Sequence, residues 1–251
     1  MGWMTLLAVA NQEGRVARSG LTDNLGAEFT SLGNRVVLVD PDPQATRTSW
    51  LLGRINAPET AEIFMDEAAA ADVLFEAHAI GNRMPAVPDC LRITERTLSA
   101  PVGSERRPGK ALRQIEADEI VMDCPPSMGI LTASALVAAT SGVVIPLAAA
   151  SETLDGYAQV TADLQRRRDA LDLPIPIVAV VLTRVDQRLR IPRDVLDARC
   201  DLCNGTMTSS IHENVALREF FGHRQPNRSY PPEPTSVADY AAVATEVLQR
   251  V

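Results

Sequence analysis

Two acidic turns and one loop hold the residues of this chain that could do chemistry. Asp40-Pro41-Asp42-Pro43-Gln44 and Asp123-Cys124-Pro125-Pro126-Ser127 each follow a short apolar run, and their prolines end a strand and fix the turn that presents the carboxylates. The loop lies in LLAVANQEGRVARSG at 6–20, where an apolar run passes through Asn11-Gln12 and a glycine-containing turn into a helical pattern. Strand, turn and helix N-terminus together hold an anion well, because free backbone N–H groups and the helix dipole converge there. The phosphate-loop signature G-x-x-x-x-G-K-[ST] is not met. Glu13-Gly14-Arg15-Val16-Ala17-Arg18-Ser19 stands in its place, with Arg18 before the hydroxyl and Glu13 at the opening.

These residues need elements to carry them. Short β-rich runs at 4–10, 36–40, 90–94, 119–123, 143–146, 177–183 and 207–210 read as strands. Segments of helical period at 19–32, 61–77, 110–117, 131–139, 154–171, 192–200, 215–221 and 235–249 read as helices, and 99–109 is the most loop-like stretch. Such alternation predicts a doubly wound α/β fold, a mostly parallel sheet covered by helices on both faces, in one domain over 1–251. Ligands of such sheets sit outside the carboxyl ends of the strands, which places the loop and both acidic turns on one rim.

Composition narrows the class. The chain has 251 residues, 46% hydrophobic and 22% charged, enough to bury a sizeable core and unlike a disordered segment. A net charge of −8 argues against a broadly basic nucleic-acid surface, while a local patch stays open. Lys110 is the single lysine, so an arginine habit accounts for scattered surface arginines. It does not account for Arg18, since a planar guanidinium and a compact ammonium are not interchangeable in a tight phosphate pocket. Four cysteines without a secretory leader imply a reduced, cytoplasmic setting. Cys200-x-x-Cys203 has no second pair to complete a zinc site, and two incidental thiols are the plainer reading.

With these blocks placed, the chain resembles the ParA family of DNA-segregation ATPases, relatives of MinD, over nearly its whole length. The likeness is carried by Asn11-Gln12, RVVLVDPDPQAT at 35–46, IVMDCPPSMGILTASAL at 120–136, VVIPLAAASETLDGYAQV at 143–160 and NVALREFFGHRQP at 214–226, all in family order. It is to the short ParA form, with no room before Trp3 for a helix-turn-helix domain and no basic amphipathic membrane tail at 240–251. The resemblance implies ATP and Mg2+ as cofactors. Asp123 falls where the Mg2+-associated Walker B aspartate lies, Ser19 where the hydroxyl ligand of Mg2+ lies, and Asp42 where the attacking water is positioned. Arg18 takes the place of the loop lysine that bridges phosphates. Glu13 takes that of the signature lysine, which reaches across an ATP-sandwiched dimer. Merely satisfying backbone donors at strand ends remains open to both aspartates.

The departures weigh against nucleotide binding. A like-charge contact near a phosphate, at about 4 Å in a surface-like dielectric, is worth roughly 4 kcal/mol. The lost charge-assisted bond adds about 1.5–3 kcal/mol. Arg15 and Ala17 stand where the family has glycine, and each Cβ adds on the order of 1 kcal/mol if the glycine conformation is kept. A micromolar ligand is held by only about 8 kcal/mol. ATP is therefore expected to bind weakly or not at all. Arg18 is expected to pair with Asp42 or Asp123 in place of nucleotide and Mg2+.

Non-specific DNA contacts are altered too. The family's I-P-R-N-V-R-L run, whose arginines contribute to phosphate contacts, reads Ile211-His212-Glu213-Asn214-Val215-Ala216-Leu217 here. Arg218 stays, and Arg184, Arg188, Arg190 and Arg193 could supply a compensating patch, as could Arg166-Arg167-Arg168; solvated helix faces explain them equally well. His78, His212 and His223 read as structural or surface residues. Two functions compete: a ParA-like protein of plasmid or chromosome partition, or of intracellular positioning, that has lost ATP handling, and an active divergent ParA ATPase. Expected partners are a second copy, non-specific DNA, and a ParB-like protein or a true ParA, with cytoplasmic or nucleoid location and no membrane. A metabolic ATPase of the nitrogenase-iron-protein kind is disfavoured, because the cysteines lack a cluster-binding arrangement.

Overall fold

Successive residues of the central strands face opposite ways, and both faces are buried. Leu6 and Ala8 point into one core and Leu7 and Val9 into the other, as do Val37 and Val39 against Val36 and Leu38, and Ile120 and Met122 against Val121. That is why these runs are continuously apolar rather than alternating. The structure, a computed structural model, describes residues 4–11, 16–43, 60–65, 69–77, 81–84, 88–98, 103–127, 129–148, 153–186, 206, 209–213 and 236–251.

Seven strands are formed among the described residues: β1 Thr5–Val9, β2 Val36–Val39, β3 Phe75–Ala77, β4 Gly81–Met84, β5 Glu119–Asp123, β6 Gly142–Ala148 and β7 Ile177–Thr183. They lie in the order β3-β4-β2-β5-β1-β6-β7. All neighbours are parallel except β3, which runs antiparallel along β4 at the edge. The chain leaves β1 toward β2 on one side, yet passes from β5 to β6 on the other. The switch point of this doubly wound sheet is therefore at β1.

Helices cover both faces. Helix α1 (Arg18–Ser31) and helix α7 (Ser236–Leu248) pack together on one side, burying Leu21, Leu25 and Phe29 with Tyr240, Val243 and Val247. On the other lie α2 (Thr60–Met65), α3 (Pro88–Leu98), α4 (Arg107–Leu112), α5 (Ile130–Ala138) and α6 (Thr153–Leu171), which contribute Ile63, Leu91, Leu112, Leu136 and Leu164. Sandwiched between sheet and α7, α1 is buried on every side, so even its polar residues must find partners inside. Two use their own helix: the Thr22 hydroxyl donates to the Arg18 carbonyl and the Asn24 amide to that of Gly20. Its end is a Schellman turn, with Gly33 at φ 92 and the N–H groups of Gly33 and Asn34 returning to the carbonyls of Thr30 and Phe29.

Several local expectations are corrected. The run at 90–94, predicted as a strand, lies within α3, because its apolar and threonine positions recur at helical spacing and bury Leu91, Thr94 and Leu98 on one face. The helix predicted over 61–77 breaks into α2, a 3-10 turn at Ala70–Val73 and strand β3. Within the loop-like 99–109 stretch, the described part forms a 3-10 turn at Ser104–Arg106 and the start of α4, which ends at Leu112 and does not run to 117. Of the strand predicted over 207–210, residues 209 and 210 are described and lie outside any strand. The helices predicted at 192–200 and 215–221 lie outside the described residues. No helix among the described residues is long and apolar enough to cross a membrane.

Candidate functional site

Three strand ends meet at one corner of the sheet, and one side chain touches all three. The register pairs Val9 with Asp123 and Val39 with Met122, so the turns after β1, β2 and β5 leave the sheet side by side. Arg18, the first residue of α1, lies across them. Its Nε donates to Asp123 Oδ1 at 3.2 Å, its Nη1 donates to the Asn11 carbonyl at 3.1 Å, and its Nη2 lies 3.7 Å from Asp42 Oδ2. The Arg18, Asp42 and Asp123 side chains are 10%, 17% and 5% exposed, so these ion pairs are largely shielded from water. Taking one partner from such a pair leaves an uncompensated buried charge, typically at a cost of about 3–5 kcal/mol.

Each member is held in place locally. In the acidic turn after β2, the Asp42 N–H donates to Asp40 Oδ1 at 3.2 Å, a side-chain-closed turn of the kind that Asp-Pro sequences favour. The Asn11 side chain is buried and donates to the Pro146 carbonyl at 2.6 Å, tying the end of β1 to β6. Ahead of α1, Ala17 adopts the left-handed conformation, φ 54 and ψ 27, which favours glycine. Its carbonyl opens the helix by accepting from the Leu21 N–H at 2.8 Å. The buried Thr183 hydroxyl, at the end of β7, lies 2.9 Å from the Val16 carbonyl and 3.2 Å from that of Leu147 and donates to this pair.

The loop's chemistry follows from this geometry. A positive side chain at the N-terminal end of a helix opposes the macrodipole, and the nearby carboxylates of Asp42 and Asp123 offset both charges. Cys124, directly after Asp123, is fully buried, and that burial pushes its thiol up to about 12, with Arg18 pulling the other way. It is a packing residue, not a nucleophile or a metal ligand. Among the described residues no group of three or more His, Cys, Asp and Glu side chains is arranged to hold a metal.

Of the predicted site residues, Val16, Ala17, Arg18, Ser19, Asp42 and Asp123 are described, and Arg18 is brought onto both aspartates. Glu13, Gly14 and Arg15 lie outside the described residues, as do Arg188, Arg190, Arg193 and Arg218. Arg184 is described, and it pairs with Glu213 at 3.4 Å. In the run 166–168, Arg167 lies 2.6 Å from Asp163 and is mostly buried, and Arg168 donates to the Ile175 carbonyl. Only Arg166 extends into solvent, 3.2 Å from Asp163. His212 has a structural partner, its Nδ1 lying 2.9 Å from Asp239 Oδ2. Sequence reasoning missed Thr183; its one signal is a hydroxyl closing the apolar run Ile177–Thr183.

A parallel, doubly wound sheet with a strand-loop-helix unit at its switch point, flanked by acidic turns on neighbouring strand ends, defines a protein of the P-loop NTPase class. A solved structure of that class, cobyrinic acid a,c-diamide synthase from Mycobacterium smegmatis with bound ATP analogue and magnesium, superimposes with a TM-score of 0.83 at 26% identity, covering 98% of this chain and 95% of that one. The family profile described as "AAA domain" matches residues 4–175. Sporulation initiation inhibitor protein Soj of Bacillus subtilis is 30% identical over 96% of this chain and 97% of its own length. The chromosome partitioning protein ParA of Caulobacter vibrioides is 31% identical, over 98% and 95%. The chain belongs to the ParA/MinD-type family.

Proposed function

We propose that this is a ParA-like protein of plasmid or chromosome partition, or of intracellular positioning, in which ATP binding and hydrolysis are weak or lost. The setting is taken from the partition proteins it resembles along nearly its whole length. The observation that carries the loss is the placement of Arg18: the side chain in the phosphate-bridging position donates to Asp123 and Asn11 and pairs with Asp42. A guanidinium engaged in three directions is not available to a phosphate. Glu13, of like charge to a phosphate, adds repulsion. Such a protein would act in the cytoplasm through self-association, as a scaffold or as a regulator of a true ATPase, with a ParB-like partner as the other candidate.

DNA binding through Arg184 finds little support, because that charge faces Glu213, which stands where the family has an arginine. The second reading, an active divergent ATPase, rests on the solved relative that holds an ATP analogue and magnesium, and on the retention here of Asp42 and Asp123. Calorimetric titration with ATP and Mg2+, and turnover measured with DNA present, separate the two. Absence of micromolar binding and of turnover is expected; Mg2+-dependent micromolar binding would overturn the proposal. Light scattering with and without ATP is expected to give the same assembly size.

A further inference from the structure

The family implies a magnesium ion at Asp123 and Ser19, and the described residues do not fit one as they stand. Mg2+ takes its oxygen ligands at about 2.1 Å in near-octahedral order and keeps several waters. Here Asp123 Oδ1 already accepts from the Arg18 Nε, and the same guanidinium lies against Asp42. We infer that Arg18 is the resident counter-ion of the Asp42–Asp123 corner, a permanent cation built into the chain where a divalent ion would otherwise bind, so that the wild-type protein takes no divalent cation there.

Three observations carry this. First, the guanidinium is planar and delocalised, and each of its three nitrogens is directed at a different strand end, after β1, β2 and β5; it cross-links these turns as a shared metal would. Second, a guanidinium has donors only and no acceptor atom, so it fills the corner as a cation and offers a metal ion no ligand. Third, its origin is fixed. Arg18 begins α1, whose first turn is closed by the Ala17 carbonyl, and the preceding Val16 carbonyl faces the Thr183 hydroxyl. Swinging the side chain out would take the ionic contact from Asp123, only 5% exposed. The corner therefore holds itself together without the ion. This deepens the reading above by naming what excludes Mg2+, but its test uses no nucleotide, so either can fail without the other.

The test is direct titration with Mn2+, followed by the paramagnetic resonance of the free ion and competed with Mg2+. Wild-type protein is expected to leave Mn2+ free through the low millimolar range. Arg18→Ala, checked for folding by circular dichroism, is expected to bind Mn2+ more tightly by about tenfold or more, and Mg2+ to compete. Adding Asp123→Asn to Arg18→Ala is expected to abolish that binding. Wild-type protein that binds Mn2+ as tightly as Arg18→Ala, or a folded Arg18→Ala that binds no more tightly than wild type, overturns the inference. If Arg18→Ala does not fold in metal-free buffer, recovery of native circular dichroism with Mg2+ but not with matched NaCl supports it, and absence of recovery overturns it.

Discussion

The Thr183 hydroxyl, closing β7, faces the Val16 carbonyl at 2.9 Å, one residue before the left-handed Ala17. These groups are 167 residues apart in sequence, and the bond joins the far flank of the sheet to the entrance of α1. Thr183→Val keeps the shape and removes the donor that faces the buried Val16 carbonyl. A loss of about 1–2 kcal/mol in unfolding free energy is expected from urea denaturation. A loss below a few tenths would mean that the bond does not hold the loop.

Ala17 is one of three described non-glycine residues at positive φ, with Asp172 and Arg184, and the one that opens α1 beside the site. A left-handed alanine is less favourable than glycine by roughly 1–2 kcal/mol, and glycine gives back part of that through its freer unfolded chain. Ala17→Gly is thus expected to stabilise by on the order of 0.5–1 kcal/mol, whereas Ala17→Val, β-branched, is expected to destabilise by about 1–2 kcal/mol. Opposite signs in the two thermal midpoints check this. Equal and negative effects would show that the Cβ packs favourably there.

Much of this arrangement was legible in the sequence, for identifiable reasons. Strands buried on both faces announce themselves by unbroken apolar runs, and the prolines after Asp40 and Cys124 mark where β2 and β5 end. Both carboxylates are therefore placed at strand ends of one rim, and the chemistry of Arg18 is enough to expect its pairing with one of them, Asp42 or Asp123; the structure sets it against both. The edge of the sheet was not legible. Gly81–Met84 has little β propensity and is a strand through backbone pairing along β2, at Val37–Asn82 and Val39–Met84. Conversely, 90–94 looks β-forming when read alone and turns helical because Leu91, Thr94 and Leu98 bury one face.

The Arg184–Glu213 pair leads to an expectation about charge. Both groups are partly exposed, so the pair itself adds little stability. Its consequence is electrostatic: a carboxylate faces one basic side chain of the arginine patch that a proposed DNA contact would use. Glu213→Arg removes that carboxylate and adds a cation. Fluorescence anisotropy on a non-specific duplex is expected to show tighter binding at low salt, with a log–log salt slope steeper by about one to two. An unchanged slope would exclude this surface from DNA contact.

Far from the site, at the other end of β5 from Asp123, Glu119 gives the fold a pH dependence. The residue is only 6% exposed; its carboxylate faces Thr5 on β1, and one oxygen lies 3.5 Å from the Asn34 amide. Burial raises it from an ordinary 4.5 to about 7, opposed by the Thr5 hydrogen bond and assisted by the neighbouring Asp118, itself paired with Arg35 at 2.9 Å. A raised acid holds its proton more tightly when folded. The native chain therefore keeps a proton between these values that the unfolded chain has released, and stability falls as pH climbs from 4.5 to 7. Below the lower value the contribution is fully present, and above the higher it is gone. At about 1.4 kcal/mol per pH unit, the gap amounts to on the order of 3 kcal/mol. Glu119→Gln, neutral at every pH, is expected to match wild type near the acid end and to exceed its unfolding free energy by on the order of 1–3 kcal/mol on the alkaline side. Denaturation of both proteins across the range checks this; a difference that stays constant with pH would show that the Glu119 carboxylate does not titrate between the two states.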